Sequence, residues 1–218
     1  MKTRALVILF ILSSLQMAAQ SNALSYLALG DSYTIGESVN ESDRWPNQLM
    51  KVLSEKGYNI SKPRIIATTG WRTDNLKDAI LKADLKSEYD LVSLLIGVNN
   101  QYQGKSADQY AIEFEDLLKT AIQLAKRKST NVFVVSIPDY GYTPFGLPKK
   151  ESISIQIDEF NAINKRITEK YNVAYYNITD ISRHGLDDPA LVADDGLHPS
   201  GKMYSLWVER IMKKFILK

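Results

Sequence analysis

The chain has 218 residues, with 27 lysines and arginines against 25 aspartates and glutamates, two histidines and no cysteine. That length is one domain's worth and buries a core unaided, and the missing cysteines exclude disulfides, a thiolate nucleophile, a cysteine metal site and a cysteine-linked lipid. Setting aside Lys2 and Arg4 leaves 25 charges of each sign, without the basic footprint that nucleic-acid phosphates demand.

Met1-Lys2-Thr3-Arg4, followed by the apolar run from Ala5 to Leu15, has the charged and apolar regions of a secretory signal peptide. Small residues at Ala18, Ala19, Ser21 and Ala23 offer cleavage between about residues 20 and 23. The run falls short of the about 20 apolar residues that span a bilayer. The expectation is a signal peptide over 1–20, one domain over 24–218, a periplasmic or secreted product, and no stable membrane span after cleavage. An uncleaved amino-terminal anchor is the alternative.

After this leader, short apolar runs alternate with stretches of helical period, the pattern of an α/β domain with a parallel sheet. The runs predict strands at Ser25 to Leu29, Arg64 to Ala67, Leu91 to Ile96, Val132 to Ile137 and Val173 to Tyr176. Between the first two, Trp45, Leu49, Val52 and Leu53 recur at helical spacing, with Pro46 in the first turn and Gly57 as the stop. A shorter helix is predicted from Asp74 to Ala83. A longer one, capped by Ser106, carries Tyr110, Phe114, Leu117, Leu118, Ala121, Ile122 and Ala125 on one face. The fourth helix carries Ile153, Ile157, Phe160, Ile163 and Ile167. The last opens at Pro199-Ser200 and places Met203, Trp207, Ile211 and Phe215 four apart. These stripes read as core packing. Three Asn-x-Ser/Thr triplets, at Asn40, Asn59 and Asn177, read as surface turns. The irregular stretches Asn99 to Lys105, Pro138 to Lys150 and Thr179 to Leu197 each follow a strand, and in such sheets these loops gather at the strands' carboxyl edge.

Four stretches at that edge carry chemistry. Tyr26-Leu27-Ala28-Leu29-Gly30-Asp31-Ser32-Tyr33 ends the first strand in a small turn and makes Ser32 a candidate nucleophile, although Gly, Asp and Ser are also ordinary turn residues. Thr69-Gly70-Trp71 follows the second strand and Gly97-Val98-Asn99-Asn100 the third. Asp194-Asp195-Gly196-Leu197-His198-Pro199 follows the fifth. A serine hydroxyl becomes nucleophilic only when a base takes its proton, and a neutral imidazole does this best near neutral pH. His198 fits that role, with Asp195 or Asp194 as the carboxylate that holds its other nitrogen. His184 reads as an ordinary surface histidine.

Together the blocks Gly30-Asp31-Ser32, Gly70, Gly97-x-Asn99 and Asp195-x-x-His198-Pro199, in that order, resemble the SGNH (GDSL-type) hydrolase superfamily over the chain from Tyr26 to the last helix. The resemblance implies a three-layer α/β/α domain with a flavodoxin-like, five-stranded parallel sheet. It implies ester hydrolysis through an acyl-enzyme on Ser32, with His198 as base and then acid and Asp195, not Asp194, as its orienter. It also implies an oxyanion hole from the backbone N–H groups of Ser32 and Gly70 and the Asn99 side-chain amide, without cofactor or metal. Glycine suits a close backbone donor, and an amide donates without carrying charge. Two positions depart from the family pattern: Tyr33 stands where the name has leucine, and Asn100 where Gly-x-Asn-Asp has its aspartate.

The candidate pocket lining is Tyr33, Trp71, Asn100, Tyr140, Tyr142 and Phe145, for an acyl group or a sugar, with packing of each loop on its own sheet as the alternative. Two prolines in Pro138 to Pro144 make that stretch an ordered wall. The expected partner is a small-molecule, lipid or carbohydrate ester. The rival is a non-catalytic carbohydrate- or lipid-binding module on the same fold. A nucleotide-binding reading lacks Gly-x-Gly-x-x-Gly after the first strand.

Overall fold

The computed structural model describes residues 23–215, so the signal peptide expected over 1–20 lies outside the described residues. Five apolar runs pair as one parallel sheet: β1 (Tyr26–Gly30), β2 (Arg64–Ala67), β3 (Leu91–Leu95), β4 (Val132–Val135) and β5 (Ala174–Tyr176), in the order β2-β1-β3-β4-β5. Every residue of β1, β3 and β4 is buried, so these runs are almost continuously apolar where a half-exposed strand would alternate. Gly30 pairs with Ala67 on one side and Leu95 on the other, so three neighbouring strands end level.

Helices cover both faces of the sheet. The chain runs outward from β1 to β2 and then back past β1 toward β5, and right-handed crossovers put the connecting helices on opposite sides. Accordingly α2 (Trp45–Glu55) packs on α8 (Gly201–Met212), while α3 (Thr73–Lys82), α5 (Ala107–Leu124) and α6 (Lys150–Lys170) form a row. The helix starts follow side-chain chemistry. Ser106 Oγ accepts from Gln109 N–H at 3.2 Å to open α5, and Ser200 Oγ from Met203 N–H at 3.3 Å to open α8. The stripes foreseen in the sequence face the sheet, with Phe114, Leu118, Ile157, Trp207 and Ile211 fully buried. Full burial of one such aliphatic side chain contributes about 1.5–3 kcal/mol. Phe215 lies beyond the end of α8, yet its ring still meets Phe133 edge-on at 6.0 Å.

The structure corrects the sequence reading at the loops. The segments read as irregular contain one-turn helices: α4 (Val98–Tyr102) follows β3, and α7 (Thr179–Ser182) follows β5. A further one, α1 (Ser32–Ile35), follows β1 directly. These are too short for a 3.6-residue period to show. Their effect is to place helix amino termini, with unpaired N–H groups, at the carboxyl edge of the sheet.

Candidate active site

Asp31 caps α1, its Oδ1 accepting from Tyr33 N–H at 3.0 Å, which makes Ser32 the first helical residue. Its N–H therefore has no intrahelical acceptor. Gly30 lets β1 approach this turn closely: a Cβ there would stand 2.2 Å from Thr34 Oγ1 and 2.5 Å from the Leu95 carbonyl oxygen. The Ser32 hydroxyl is free of hydrogen bonds among the described residues.

Asp31 itself is fully buried and its Oδ2 has no hydrogen-bond partner among the described residues. Burial pushes the carboxyl up to about 7, against the opposing pull of the Tyr33 and Gly97 N–H groups. An unfolded aspartate titrates near about 3.9. Between these values the folded chain keeps a proton that the unfolded chain releases. The stability from neutral Asp31 is thus fully present below about pH 4 and lost as pH rises through about 7, with a slope of at most about 1.4 kcal/mol per pH unit. Asp31→Asn, which keeps the cap, is expected to flatten that decline. Thermal melts should show its Tm gaining on the parent between pH 5 and 8, and a difference constant with pH would contradict the assignment.

Gly70 follows β2 with φ +81° and open space where a Cβ would stand, so the left-handed backbone alone calls for glycine. Asn99 is the second residue of α4. Its Nδ2 donates to the Trp71 carbonyl at 2.9 Å, which fixes the amide and leaves its second hydrogen. Beside it, Asn100 Oδ1 accepts from Thr73 N–H at 3.1 Å and Nδ2 donates to Thr73 Oγ1 at 2.6 Å. The Thr73 hydroxyl in turn donates to Glu113 Oε2, which also lies 3.5 Å from Asn100 Nδ2. Arg72 bonds Gln103, whose Nε2 reaches the Gly70 carbonyl at 3.5 Å. The loop after β2 and the helix after β3 are stitched together by these side chains.

The imidazole is held within its own loop. Asp195 Oδ1 accepts from the N–H groups of Leu197 and His198, both at 2.9 Å, and Oδ2 meets His198 Nδ1 at 2.6 Å. Ser38 Oγ also donates to Oδ2, at 2.6 Å, from the other end of the chain. Partial burial alone would raise the Asp195 carboxyl, but the Ser38 hydroxyl, the His198 N–H and ring, and the Leu197 N–H hold it well below the carboxylate range. An ionised Asp195 places the proton of a neutral ring on Nδ1 and leaves Nε2 as acceptor. Asp194 is exposed and makes none of these contacts. The Tyr33 ring packs edge-on to His198 at 5.7 Å.

A cavity of about 170 Å³ joins these pieces, lined by Ser32, Tyr33, Gly70, Asn99 and His198 together with Thr69, Val98, Tyr102, Tyr140, Phe145 and Leu197. Of the sequence-predicted residues, Trp71, Asn100 and Tyr142 stand outside its wall. Trp71 offers its carbonyl to Asn99 instead. Asn100 is buried against Thr73, and the Tyr142 ring lies under the Lys150 ammonium at 4.4 Å. Thr69, Val98, Tyr102 and Leu197 were not singled out in the sequence, nor was Ser38. Thr69, Val98 and Leu197 carried a signal, each standing one residue before a block residue, Gly70, Asn99 and His198 in turn, whereas Tyr102 and Ser38 carried none. His184 is exposed and sits 3.7 Å from Asp187 in a different hollow.

Among the described residues, no group of three or more His, Cys, Asp or Glu is placed to hold a metal ion, and no helix is long and apolar enough to cross a membrane. Ser32, Gly70, Asn99 and a His198 oriented by a carboxylate thus line one small cavity, and these are the residue types that acyl transfer to a hydroxyl requires.

A family model, the GDSL-like lipase/acylhydrolase family, matches residues 28–206. No curated protein matches the chain in sequence. Solved structures share the fold at low identity. The psychrotrophic esterase EstA from Pseudoalteromonas sp. is 18% identical over 87% of this chain and 94% of its own, with a TM-score of 0.63. A lipolytic G-D-S-L family protein from Veillonella parvula is 18% identical over 88% and 98%, with a TM-score of 0.66. The acetylxylan esterase Axe2 from Geobacillus stearothermophilus is 18% identical over 89% and 95%, with a TM-score of 0.66.

Proposed function

The chain belongs to the GDSL-like lipase/acylhydrolase family and is a carboxylic ester hydrolase, and from that premise we propose that it cleaves its substrate through an acyl-enzyme on Ser32. The observation that carries this reading is the single cavity at which Ser32, Gly70, Asn99 and His198 meet from four separate stretches of chain. Ser32 Oγ attacks the ester carbonyl carbon while His198 Nε2 takes its proton. The developing oxyanion is met by the N–H groups of Ser32 and Gly70 and the second amide hydrogen of Asn99. Collapse breaks the bond to the alcohol, which leaves with the proton from His198. Water then attacks the acyl carbon with the same base and frees the acid. Asp195 keeps the imidazole in the tautomer that accepts at Nε2 and stabilises its charged form. The Ser32 hydroxyl turns onto Nε2 when substrate fills the cavity, since catalytic hydrogen bonds often tighten only then. The proposal places the enzyme outside the cytoplasm, on the charged and apolar character of residues 1–15.

A fluorophosphonate probe tests the nucleophile, and the Pseudoalteromonas esterase is described as inhibited by monoethylphosphonate. Peptide mass spectrometry should find the adduct on Ser32 and none on Ser32→Ala. An adduct on another residue, or none on folded protein, overturns the acyl-enzyme and leaves the binding module in its place.

A further inference from the structure

Ser38 ends the turn that follows α1, with its backbone in the left-handed region at φ +63°. Residues other than glycine rarely adopt that conformation, and asparagine and aspartate are the usual exceptions. A serine held there is strained, so the structure around it must fix the turn. It does so from three sides. Gly36, also left-handed at φ +70°, closes α1, and the N–H groups of Gly36 and Glu37 both donate to the Ser32 carbonyl, at 3.0 and 3.1 Å. A Cβ at Gly36 would stand 2.4 Å from Arg44 Cγ, so the turn lies tight against the residue that precedes α2. Glu37 accepts a hydrogen bond from the Thr69 hydroxyl, beside Gly70.

From this turn the Ser38 hydroxyl donates to Asp195 Oδ2, the oxygen that also meets His198 Nδ1. Among the described residues it is the one hydrogen bond between the stretch 31–38 and the loop 195–198. The bonds from the Leu197 and His198 N–H groups to Oδ1 fix the carboxylate within its own loop, and Phe145 N–H holds the Gly196 carbonyl at 3.0 Å from the stretch after β4. Neither sets the distance from that loop to α1. Burial opposes ionisation of Asp195, and the Ser38 hydroxyl does most to offset it, ahead of the His198 N–H and ring and the Leu197 N–H.

We propose that Ser38 is a positioning residue for ester hydrolysis, holding Asp195 and through it the His198 ring in register with the helix that carries Ser32, an inference that rests on the acyl-enzyme reading above. The connection forms a closed ring. The Ser32 carbonyl is bonded by the turn, the turn's hydroxyl bonds Asp195, Asp195 bonds the imidazole, and the imidazole takes the Ser32 proton. A slip in any link changes the distance between hydroxyl and base, where a misplacement of about 1 Å can cost about 100-fold in rate. Loss of Ser38 costs less than that, because the two N–H bonds to Oδ1 remain and water reaches the exposed position. Ser38 does not line the catalytic cavity, so its effect falls on kcat and leaves KM alone.

Glycine at this position separates positioning from packing, because it relieves the left-handed backbone while removing the hydroxyl. Ser38→Gly is expected to keep the parent Tm while kcat on p-nitrophenyl acetate falls about tenfold at constant KM, the effect of one hydrogen bond to a charged group. The rate at which the fluorophosphonate labels Ser32 should fall by a like factor. Asparagine tolerates the left-handed region and its amide donates to a carboxylate, so Ser38→Asn should return kcat to within about threefold of the parent. In an Asp195→Asn background, Ser38→Gly should change kcat by less than about twofold, since the group it positions is already lost. A Ser38→Gly kcat within about twofold of the parent, a loss in KM alone, a Ser38→Asn no better than Ser38→Gly, or a full tenfold loss in the Asp195→Asn background would overturn the proposal. With Ser32 still labelled, the hydrolase reading stands in each of those cases. A parent protein whose Ser32 takes no phosphonate would instead remove the acyl-enzyme and this inference with it.

Discussion

Replacing His198 by alanine is expected to lower kcat by about 10⁴–10⁶, replacing Ser32 by alanine to lower it as much, and the double variant to be no worse than either. Groups that act as one unit are not additive, because once the proton acceptor is gone the hydroxyl has no further advantage to lose. Asp195→Asn should cost about 10⁴, since an amide in that place favours the wrong tautomer. Asp194→Asn should cost little, because the exposed Asp194 makes no contact with the ring. Steady-state kinetics on a small ester, with melting temperatures to show that each variant is folded, provide the comparison. Equal losses at positions 194 and 195 would sink the choice of orienter. Full additivity of the Ser32 and His198 variants would mean that they do not act in one step.

Asn100→Asp, which inserts the aspartate that the family pattern leads one to expect, should destabilise this protein. Asn100 is buried and donates through Nδ2 to Thr73 Oγ1, while the Thr73 hydroxyl donates onward to Glu113. A carboxylate at position 100 loses the first bond and faces Glu113 Oε2, the atom now 3.5 Å from Nδ2. Two unit charges about 4 Å apart repel by about 4 kcal/mol at an effective dielectric constant of about 20, and the lost hydrogen bond and the burial of the new charge add to that cost. The new carboxyl would be pushed up by this repulsion and by burial, so stability should recover as the pH is lowered and it takes a proton. Glu113→Gln should restore most of the loss at neutral pH, making the pair strongly non-additive in a double-mutant cycle. Catalysis should suffer as well, because the Asn100 bonds hold the Gly70 loop against the helix that presents Asn99. An unchanged Tm for Asn100→Asp at pH 8 would refute the account. On this reading the carboxylate is present in the structure but comes from α5, a helix away from its place in the family pattern.

The elements with a long period or a clear cap were legible in the sequence. The five apolar runs give the five strands, and Ser106 and Ser200 mark helix starts that the structure keeps. The family blocks also brought Ser32, Gly70, Asn99 and His198 toward one point, and one cavity does hold them. What stayed hidden depends on contacts that pattern does not encode. Ser38 reaches Asp195 across 157 positions of sequence. Asp31 reads as a turn residue, and only the packed structure reveals a buried carboxyl with one oxygen unpaired. Trp71 and Tyr142 stand on the expected loops, but side-chain direction there is set by neighbours such as Lys150, not by strand register. The one-turn helices were invisible for the same local reason, since a single turn has too few residues to repeat.

The position of β2 at the sheet's edge has a consequence for how the enzyme wears out. Ser32 grows from β1, hydrogen-bonded on both flanks and buried throughout, whereas Gly70 hangs from a four-residue strand bonded on one flank only. Segments with few buried contacts open locally at a small fraction of the cost of global unfolding. Fluctuation of residues 68–72 would carry Gly70, a proposed oxyanion donor, away while the sheet and Ser32, the proposed nucleophile, stay in place. Heat would then silence the enzyme reversibly before it melts, and the margin between those two temperatures would be set by the few side chains of Asn99, Asn100 and Gln103 that hold the edge down.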